Sequence, residues 1–521
     1  MTKLLRILPS LSLGLFLTAC TMVGPDFVTP QAEVNTDWLE RGSGLRGDMD
    51  ENREWWRLLQ SPTLDQLVET AYQNNPNLQI AGLRVLQAQA QLNVAIGEQY
   101  PQQQALSGSA NFQYADTGLL NSNTDFETRQ IGVGATWEID FWGKYRRGIE
   151  ADQATLFSDV AAYDDALVTL IAGVADAFVA ARNLDEQRAV LESNAADQRE
   201  GLRIARVRFE NGETSALDVS QAETRLAETE AQIPGLQQQW QQSANNLSLL
   251  LGEPPGYADA LLKQSRDMPV APSQVDVGIP RDLLRRRPDV RQALLTAAAQ
   301  SAVIGVAESN RYPAFSLSGF FGFGTTSIGN SSHGNLFNWN SRALQAGASF
   351  MFPIFNYGRL RNQVRVEDAA FQQTVLNYQN TVIAAQQDVE NALATYVYGK
   401  QTTAALERAA QSAQRTSELA MVEYKDGQVG YTALLTAYDS QLQVENALVK
   451  SRGQVLAGLI SVYRALGGGW QMREGQDIVP EPIAEQMRQR TNWGDVLPAN
   501  GFVAPGPANS HQSSTSVGAT E

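Results

Sequence analysis

An apolar repeat of seven residues is the feature that most constrains the fold of this chain. Between Leu167 and Phe209, apolar residues recur at alternating spacings of three and four, and eleven of the thirteen positions in this series are apolar. No proline occurs between Pro101 and Pro234. A period of 3.5 residues predicts helices that supercoil left-handedly around their neighbours. We therefore expect one helix from about Lys144 to Phe209, with a length of about 100 Å at about 1.5 Å per residue.

The same repeat occurs a second time, 215 residues later. The second copy runs from Val382 to Tyr424 in the same frame, although it is somewhat weaker. The first copy is followed by Asn211-Gly212 and the second by Asp426-Gly427, and glycine tolerates the left-handed backbone with which many helices end. One such helix would also be compatible with an ordinary coiled-coil dimer. The duplication instead favours a single large unit built from two similar halves.

The composition argues against several classes of function. A net charge of −16 and a pI of about 4.8 make nucleic acid an improbable partner. One cysteine and two histidines exclude a disulfide framework and argue against a zinc site or a histidine-based catalytic triad. The sequence contains no phosphate-binding loop and no cluster of metal-ligating residues. We therefore expect no enzyme activity, no metal and no cofactor apart from a covalent lipid.

The first twenty residues have the features of a secretory signal with a lipid-attachment cysteine. Lys3 and Arg6 precede the apolar run 11–17, which is too short for a membrane span, and the run leads to Leu17-Thr-Ala-Cys20. This ending is similar to the bacterial lipobox, which implies cleavage before Cys20 and attachment of S-diacylglycerol and N-acyl lipid to it. Three acyl chains would anchor the protein stably. The residue after the cysteine is Thr21 rather than aspartate, and the resemblance to bacterial lipoproteins implies that this favours the outer membrane.

Four segments with a period of two predict membrane β-strands, at about 103–114, 130–141, 314–324 and 343–355. Each has one apolar face and one small or polar face, and aromatic residues gather near the ends, as in outer-membrane barrels. A soluble sheet packed on the helices is the alternative. Four strands cannot close a barrel, and an open edge cannot face lipid because its backbone groups would be unpaired. The chain must then oligomerise, with 8, 12 or 16 strands in a dimer, trimer or tetramer.

These patterns predict a mainly α fold with a membrane β-barrel, in which each half contains a helix, two strands, a long helix, a turn and a return helix. The long helices are expected at about 144–209 and 358–425. The predicted segments are a signal peptide at 1–19, a lipidated arm at 20–60, a first repeat at 61–253, a linker at 254–280, a second repeat at 281–470 and a C-terminal segment at 471–521 that is disordered from about Asn500.

Several motifs carry a resemblance to a known family. They are Cys20 with Gly24-Pro-Asp-Phe27, Trp55-Trp56, Ile279-Pro-Arg-Asp-Leu-Leu-Arg-Arg-Arg-Pro-Asp289, Tyr463-Arg-Ala-Leu-Gly-Gly-Gly-Trp470 and the two glycine turns. With these motifs the chain resembles the TolC-like outer-membrane factors over about Cys20 to Trp470, and most closely their lipoprotein branch represented by OprM and NodT. The resemblance implies a homotrimer with a 12-strand barrel that continues into a periplasmic α-helical coiled-coil tunnel.

The resemblance also implies a function. Such a trimer would be the outer-membrane exit channel of a tripartite efflux system, which conducts small molecules and drugs passively to the exterior. Its partners would be a periplasmic adaptor (membrane fusion) protein and an inner-membrane transporter, often of the resistance-nodulation-division class. One alternative is the outer-membrane duct of a type I protein secretion system. A trimeric coiled-coil structural lipoprotein is a remote alternative, because it would not require the internal duplication.

A gate at the two glycine turns is a further implication of the resemblance. The family's gate includes an aspartate six residues after the first turn's glycine, here Asp218, and a tyrosine three residues before the second turn's glycine, here Tyr424. A hydrogen bond between them would hold the closed state until the adaptor docks. The alternatives are a solvated carboxylate at a helix N-terminus for Asp218 and plain packing for Tyr424. The residues expected to contact the adaptor are Asn211, Gly212, Glu213, Asp426, Gly427 and Gly430.

Two departures from the family pattern concern charge. Val429 stands where TolC has an arginine, and Thr436 stands where the family often has an aspartate. Glu138 and Asp140, which we expect to line the pore, still predict together with Asp218 a channel that prefers cations.

Overall fold

Each half of the chain contains a helix, two strands, a long helix and a return helix in the same order. The computed structural model describes residues 22–40, 45–46, 53–116, 123–264, 268–272, 275–278, 280, 285–328 and 334–506. Up to the end of the first half, the chain forms β1 (Leu45–Arg46), α1 (Pro62–Asn74), α2 (Pro76–Glu98), β2 (Gln103–Asp116), β3 (Asn123–Ile139), α3 (Lys144–Glu210) and α4 (Ala216–Leu250). The remainder forms α5 (Tyr257–Leu262), β4 (Val275–Asp276), α6 (Pro288–Ser309), β5 (Ala314–Ile328), β6 (Arg342–Met351), α7 (Arg359–Lys425), α8 (Tyr431–Ala465) and α9 (Glu481–Arg490).

The duplication extends to the lengths of the helices. The helices α3 and α7 contain 67 residues each, and the return helices α4 and α8 contain 35 residues each. Ten of the thirteen seam positions on α3 are buried, including Leu167, Val174 and Ala181. The apolar seam therefore faces other helices, as its period predicted.

The chain divides into two compact units. The sheet unit comprises the described residues of Met1–Pro30, Leu86–Ser158 and Ala293–Tyr378. The helical unit comprises the described residues of Gln31–Val85, Asp159–Gln292 and Gln379–Glu521.

The sheet unit contains one antiparallel sheet in the order β2-β3-β5-β6. Paired residues share a face, and the register places Leu106, Val133, Phe321 and Leu344 in one row across all four strands. All four of these side chains are at least half exposed. The next row is Ser107, Gly132, Gly322 and Ala343, on the opposite face. The sheet therefore has an apolar face whose central row is exposed in the described chain.

The strand ends differ from the predicted ones by four residues or more in three places, one of which is the end of β5 at Ile328 rather than 324. Strand β3 begins at Asn123, well before position 130, because polar residues such as Thr128 and Glu127 continue the ladder beyond the apolar stretch. Strand β6 ends at Met351 rather than at 355, since Pro353 has no N–H to donate to a ladder.

The N-terminal arm lies along α7 in the helical unit. The side-chain amide of Gln386 donates to the Glu33 carbonyl at 3.0 Å and accepts from the Asn35 N–H at 2.9 Å. The Leu39 N–H donates to Glu390 Oε1 at 2.8 Å. These bonds satisfy backbone groups of an extended segment that has no sheet partner at these positions.

The C-terminal segment is more ordered than its composition suggested. Disorder was expected from about Asn500, and this is wrong for residues 500–506. Val503 forms a β-bridge with Asp477, the Ile478 N–H donates to the Phe502 carbonyl at 3.1 Å, and Phe502 is buried. The bridge, the hydrogen bond and the buried Phe502 and Ala504 side chains together hold this short stretch. Residues 507–521 lie outside the described part of the chain.

Candidate functional site

Two turns of the same geometry connect the long helices to the return helices. In the first turn the Glu213 N–H donates to the Arg208 carbonyl at 2.8 Å, and in the second the Gln428 N–H donates to the Glu423 carbonyl at 2.8 Å. This six-to-one bond requires a left-handed residue between its ends, and Gly212 has φ of +74°. Its counterpart in the second turn has φ of +73°. Both glycines are therefore needed to end these helices.

A cluster of tyrosines packs behind the turns and joins the two helical hairpins, α3–α4 and α7–α8. The rings of Tyr424 and Tyr431 lie 5.5 Å apart at an angle of 70°, and both side chains are buried. Tyr438 donates its hydroxyl hydrogen to the Asp197 carbonyl at 3.0 Å. We call this group the tip cluster; its buried members are Leu202, Ile204, Ala205, Ala222, Tyr424, Tyr431, Leu434 and Tyr438.

The hydrogen bond predicted between Asp218 and Tyr424 is not formed within the chain. Asp218 lies in the first turn of α4 and accepts a hydrogen bond from the Thr214 hydroxyl instead. Thr214 precedes Asp218 by four residues, whereas Tyr424 lies on another helix, α7. Burial, and next the Asp218 carboxylate, raise the pKa of the Tyr424 hydroxyl. The Tyr424 hydroxyl makes no hydrogen bond of normal geometry to any described residue.

The two acidic residues expected to line the pore are both paired with cations. Asp140 accepts from the backbone N–H groups of Tyr145 and Arg146, at 3.2 and 3.0 Å, and from Arg146 Nε at 3.1 Å. Glu138 lies 3.2 Å from Lys144 Nζ. Asp140 therefore caps the N-terminus of α3, a role that an aspartate shortly before a helix could have suggested from the sequence. A carboxylate that is paired with a cation contributes less negative potential to its surroundings than a free carboxylate does.

The residues expected to contact an adaptor are accessible. All six have exposed side chains or backbone, and Leu217 and Val422 beside them are 64% and 55% exposed. Gly430 differs from the other two glycines. It lies at the start of α8 with φ of −79°, a backbone conformation that other residues also adopt. Cys20, the expected lipid-attachment residue, lies outside the described residues.

Sequence reasoning missed the charged residues that link the two hairpins. Arg225 Nε of α4 lies 2.6 Å from Asp439 Oδ1 of α8. Arg208, in the last turn of α3, contacts Tyr424. An arginine near a helix C-terminus is favoured by the helix dipole wherever it points, so no local pattern distinguished Arg208 from its neighbours.

Comparisons with known proteins agree with this architecture. The sequence matches the family described as outer membrane efflux protein over residues 67–253 and 279–468, one match in each half. It is 31% identical over 459 residues to nodulation protein T of Rhizobium leguminosarum bv. trifolii, covering 88% of this chain and 96% of that protein. It is 29% identical over 477 residues to the pyoverdine export outer membrane protein OpmQ of Pseudomonas aeruginosa, covering 87% and 96%.

A solved structure of similar sequence has the same fold. The outer-membrane channel OprN is 29% identical and superposes with a TM-score of 0.79, covering 86% of this chain and 99% of that one.

Proposed function

Because the chain belongs to the outer membrane efflux protein family, we propose that three copies of it form the outer-membrane exit channel of a tripartite efflux system. The sheet supports oligomerisation, and the choice of three copies follows the family. Its apolar face is open, and strands β2 and β6 each pair with only one other strand of the described chain. Unpaired strand edges cannot face lipid. Three sheets joined edge to edge would satisfy both edges and make a barrel of 12 strands.

The proposed channel conducts its cargo passively and does not select it. Two relatives are named for the export of pyoverdine and of toluene, which are chemically very different molecules. This difference supports a duct whose specificity lies in its partners. We propose a periplasmic adaptor (membrane fusion) protein and an inner-membrane transporter, of the resistance-nodulation-division class, as those partners. The exposed turns are the proposed contact with the adaptor, and lipid on Cys20 is the proposed additional anchor.

Electron microscopy of the full-length protein in detergent tests the trimer. We expect particles with three-fold symmetry and a central channel through the sheet-containing end. Compact particles containing a single chain would refute the trimer, and the barrel and the gate would fall with it. Two-fold or four-fold particles would refute the number of copies but keep the closed barrel.

The proposed resting gate lies at the two turns, and Asp218 is a part of it. In the chain, its carboxylate holds the Thr214 hydroxyl at the N-terminus of α4 and lies beside the buried Tyr424. We expect Asp218→Ala to raise the resting conductance, because it removes the hydrogen bond to Thr214 and a charge that the helix N-terminus favours by about 0.3–1 kcal/mol. Single-channel recording in planar bilayers measures this.

Glu230→Ala is the matched control for Asp218→Ala. Glu230 lies further along the same helix, is exposed and pairs with Arg199 inside one hairpin. Its loss should leave the resting conductance unchanged. A wild-type conductance in Asp218→Ala would remove Asp218 from the gate.

A further inference from the structure

Arg208 connects the ends of the two long helices. It lies in the last turn of α3, with 15% of its side chain exposed. Its Nη1 donates to the carbonyl of Tyr424, in the last turn of α7, and its guanidinium carbon lies 4.9 Å from the centre of the Tyr424 ring. Its Nε lies 3.4 Å from Glu213 Oε2. One side chain thus holds the first turn and the end of α7 together.

The contact uses both the positive charge and the planar shape of the arginine side chain. The carbonyls in the last turn of a helix carry partial negative charge, which attracts a cation. The face of an aromatic ring attracts it as well. A planar guanidinium can lie over the Tyr424 ring and donate to the carbonyl of the same residue, whereas the ammonium of lysine is a compact point charge with strong hydration.

The second turn leaves room for this arginine. A Cβ atom on Gly427 would lie 3.3 Å from Arg208 Nη2, tighter than an ordinary contact. Gly427 therefore has two roles in the turn. It adopts the left-handed backbone, and its lack of a side chain leaves space for the Arg208 guanidinium beside the backbone.

The second half of the chain has no arginine at the position equivalent to Arg208. The residue of the second half that corresponds to Arg208 is Glu423, which is exposed. Val429, two residues after the glycine of the second turn, packs against the tip cluster and brings no charge. Arg208 is therefore the side chain through which the first hairpin supplies positive charge to the second turn. Lys425 and Glu200 also face each other across the hairpins, but at 3.8 Å and exposed, where an ion pair is worth little.

We propose that Arg208 is a latch of the resting channel: a positioning residue that holds α7 and the second turn against α3, and that must release Tyr424 when the hairpins move apart. The latch rests on the proposed function, because it assumes that this end of the helices is the gate. It adds a residue that acts through the backbone and ring of Tyr424 and not through its hydroxyl group.

The test is the resting open probability of purified trimers in planar bilayers. Arg208→Ala should raise it about tenfold or more, since a hydrogen bond to a charged group is worth about 1.5–3 kcal/mol and about 1.4 kcal/mol corresponds to a factor of ten. Arg208→Lys keeps the charge and should still raise it, by a smaller factor. Tyr424→Phe keeps the ring and the carbonyl, so the latch predicts that Arg208→Ala raises the open probability by the same factor in that background.

Arg206→Ala is the matched control. Arg206 lies two residues away on α3, is exposed, and pairs with Glu223 at 2.7 Å inside the first hairpin. It should leave the open probability unchanged. A wild-type open probability in Arg208→Ala overturns the latch. So does an equal rise in Arg206→Ala, because loss of any positive charge near the turn would then suffice.

Failure of the latch can be separated from failure of the proposed function. Trimers that respond to Asp218→Ala but not to Arg208→Ala refute the latch alone. A wild-type protein that forms no conducting trimer refutes the proposed function, and the latch with it. Circular dichroism and the amount of trimer that survives in detergent check that each variant folds.

Discussion

Leu344→Arg is expected to prevent the sheet from entering the outer membrane. Leu344 lies in the apolar row that crosses all four strands, and its side chain is 77% exposed in the single chain. An arginine on the lipid face of a barrel costs about 2–4 kcal/mol near the middle of the bilayer. In a trimer the cost occurs three times, which is comparable to the whole stability of many domains. The protein should be lost from the outer-membrane fraction.

Gln345→Arg is the control for this change. Gln345 is the next residue of the same strand and is also exposed, but it lies on the opposite face, in the row that contains Ala105, Gly134 and Phe320. A barrel would turn this residue toward a water-filled interior, where a charge is tolerated. Membrane fractionation and semi-native gels would measure both variants. Equal tolerance of the two arginines would show that the apolar face does not contact lipid.

Asp164→Leu is expected to destabilise the helical unit by about 3–5 kcal/mol, because it leaves buried guanidinium groups without a counter-charge. Asp164 of α3 is completely buried. It accepts from Arg291 Nη2 of α6 at 2.6 Å and from Arg473 Nη2 at 3.2 Å, and Arg473 is 2% exposed. Arg291 also lies over the Trp470 ring, 4.6 Å from its centre. Thermal unfolding in detergent, followed by circular dichroism, measures the loss.

Two further variants test whether the loss of stability in Asp164→Leu comes from the unpaired arginines. Glu192→Gln removes a carboxylate from the same helix that is 57% exposed and pairs with Arg188 at 3.5 Å, so it should cost less than about 1 kcal/mol. Adding Arg291→Met and Arg473→Met to Asp164→Leu should restore much of the stability, because apolar side chains can replace a buried ion cluster. A loss below about 1 kcal/mol in Asp164→Leu alone would mean that water reaches the two arginines.

The architecture could be predicted from the sequence because the spacing of apolar residues shows directly which faces of helices and strands are apolar. The seam from Leu167 to Phe209 repeats along α3, and its copy repeats along α7. Alternation along β2, β3, β5 and β6 identified four strands with one apolar face. The glycine turns followed from residue type, since few other residues adopt a positive φ without strain. Each of these features depends on many residues or on one strict steric rule.

The partners of individual charged and polar side chains were decided only by the tertiary structure. Asp218 binds Thr214 and not Tyr424, Asp140 caps a helix, and Arg208 reaches the end of α7. In each case several possible partners lie within a few ångströms of the side chain. Which of them it contacts depends on how closely the two helices approach. Periodicity fixes which face of a helix is buried, but not its rotation and height against a helix more than two hundred residues away. Hydrogen bonds weaken steeply with distance and angle, so these small offsets select the partner.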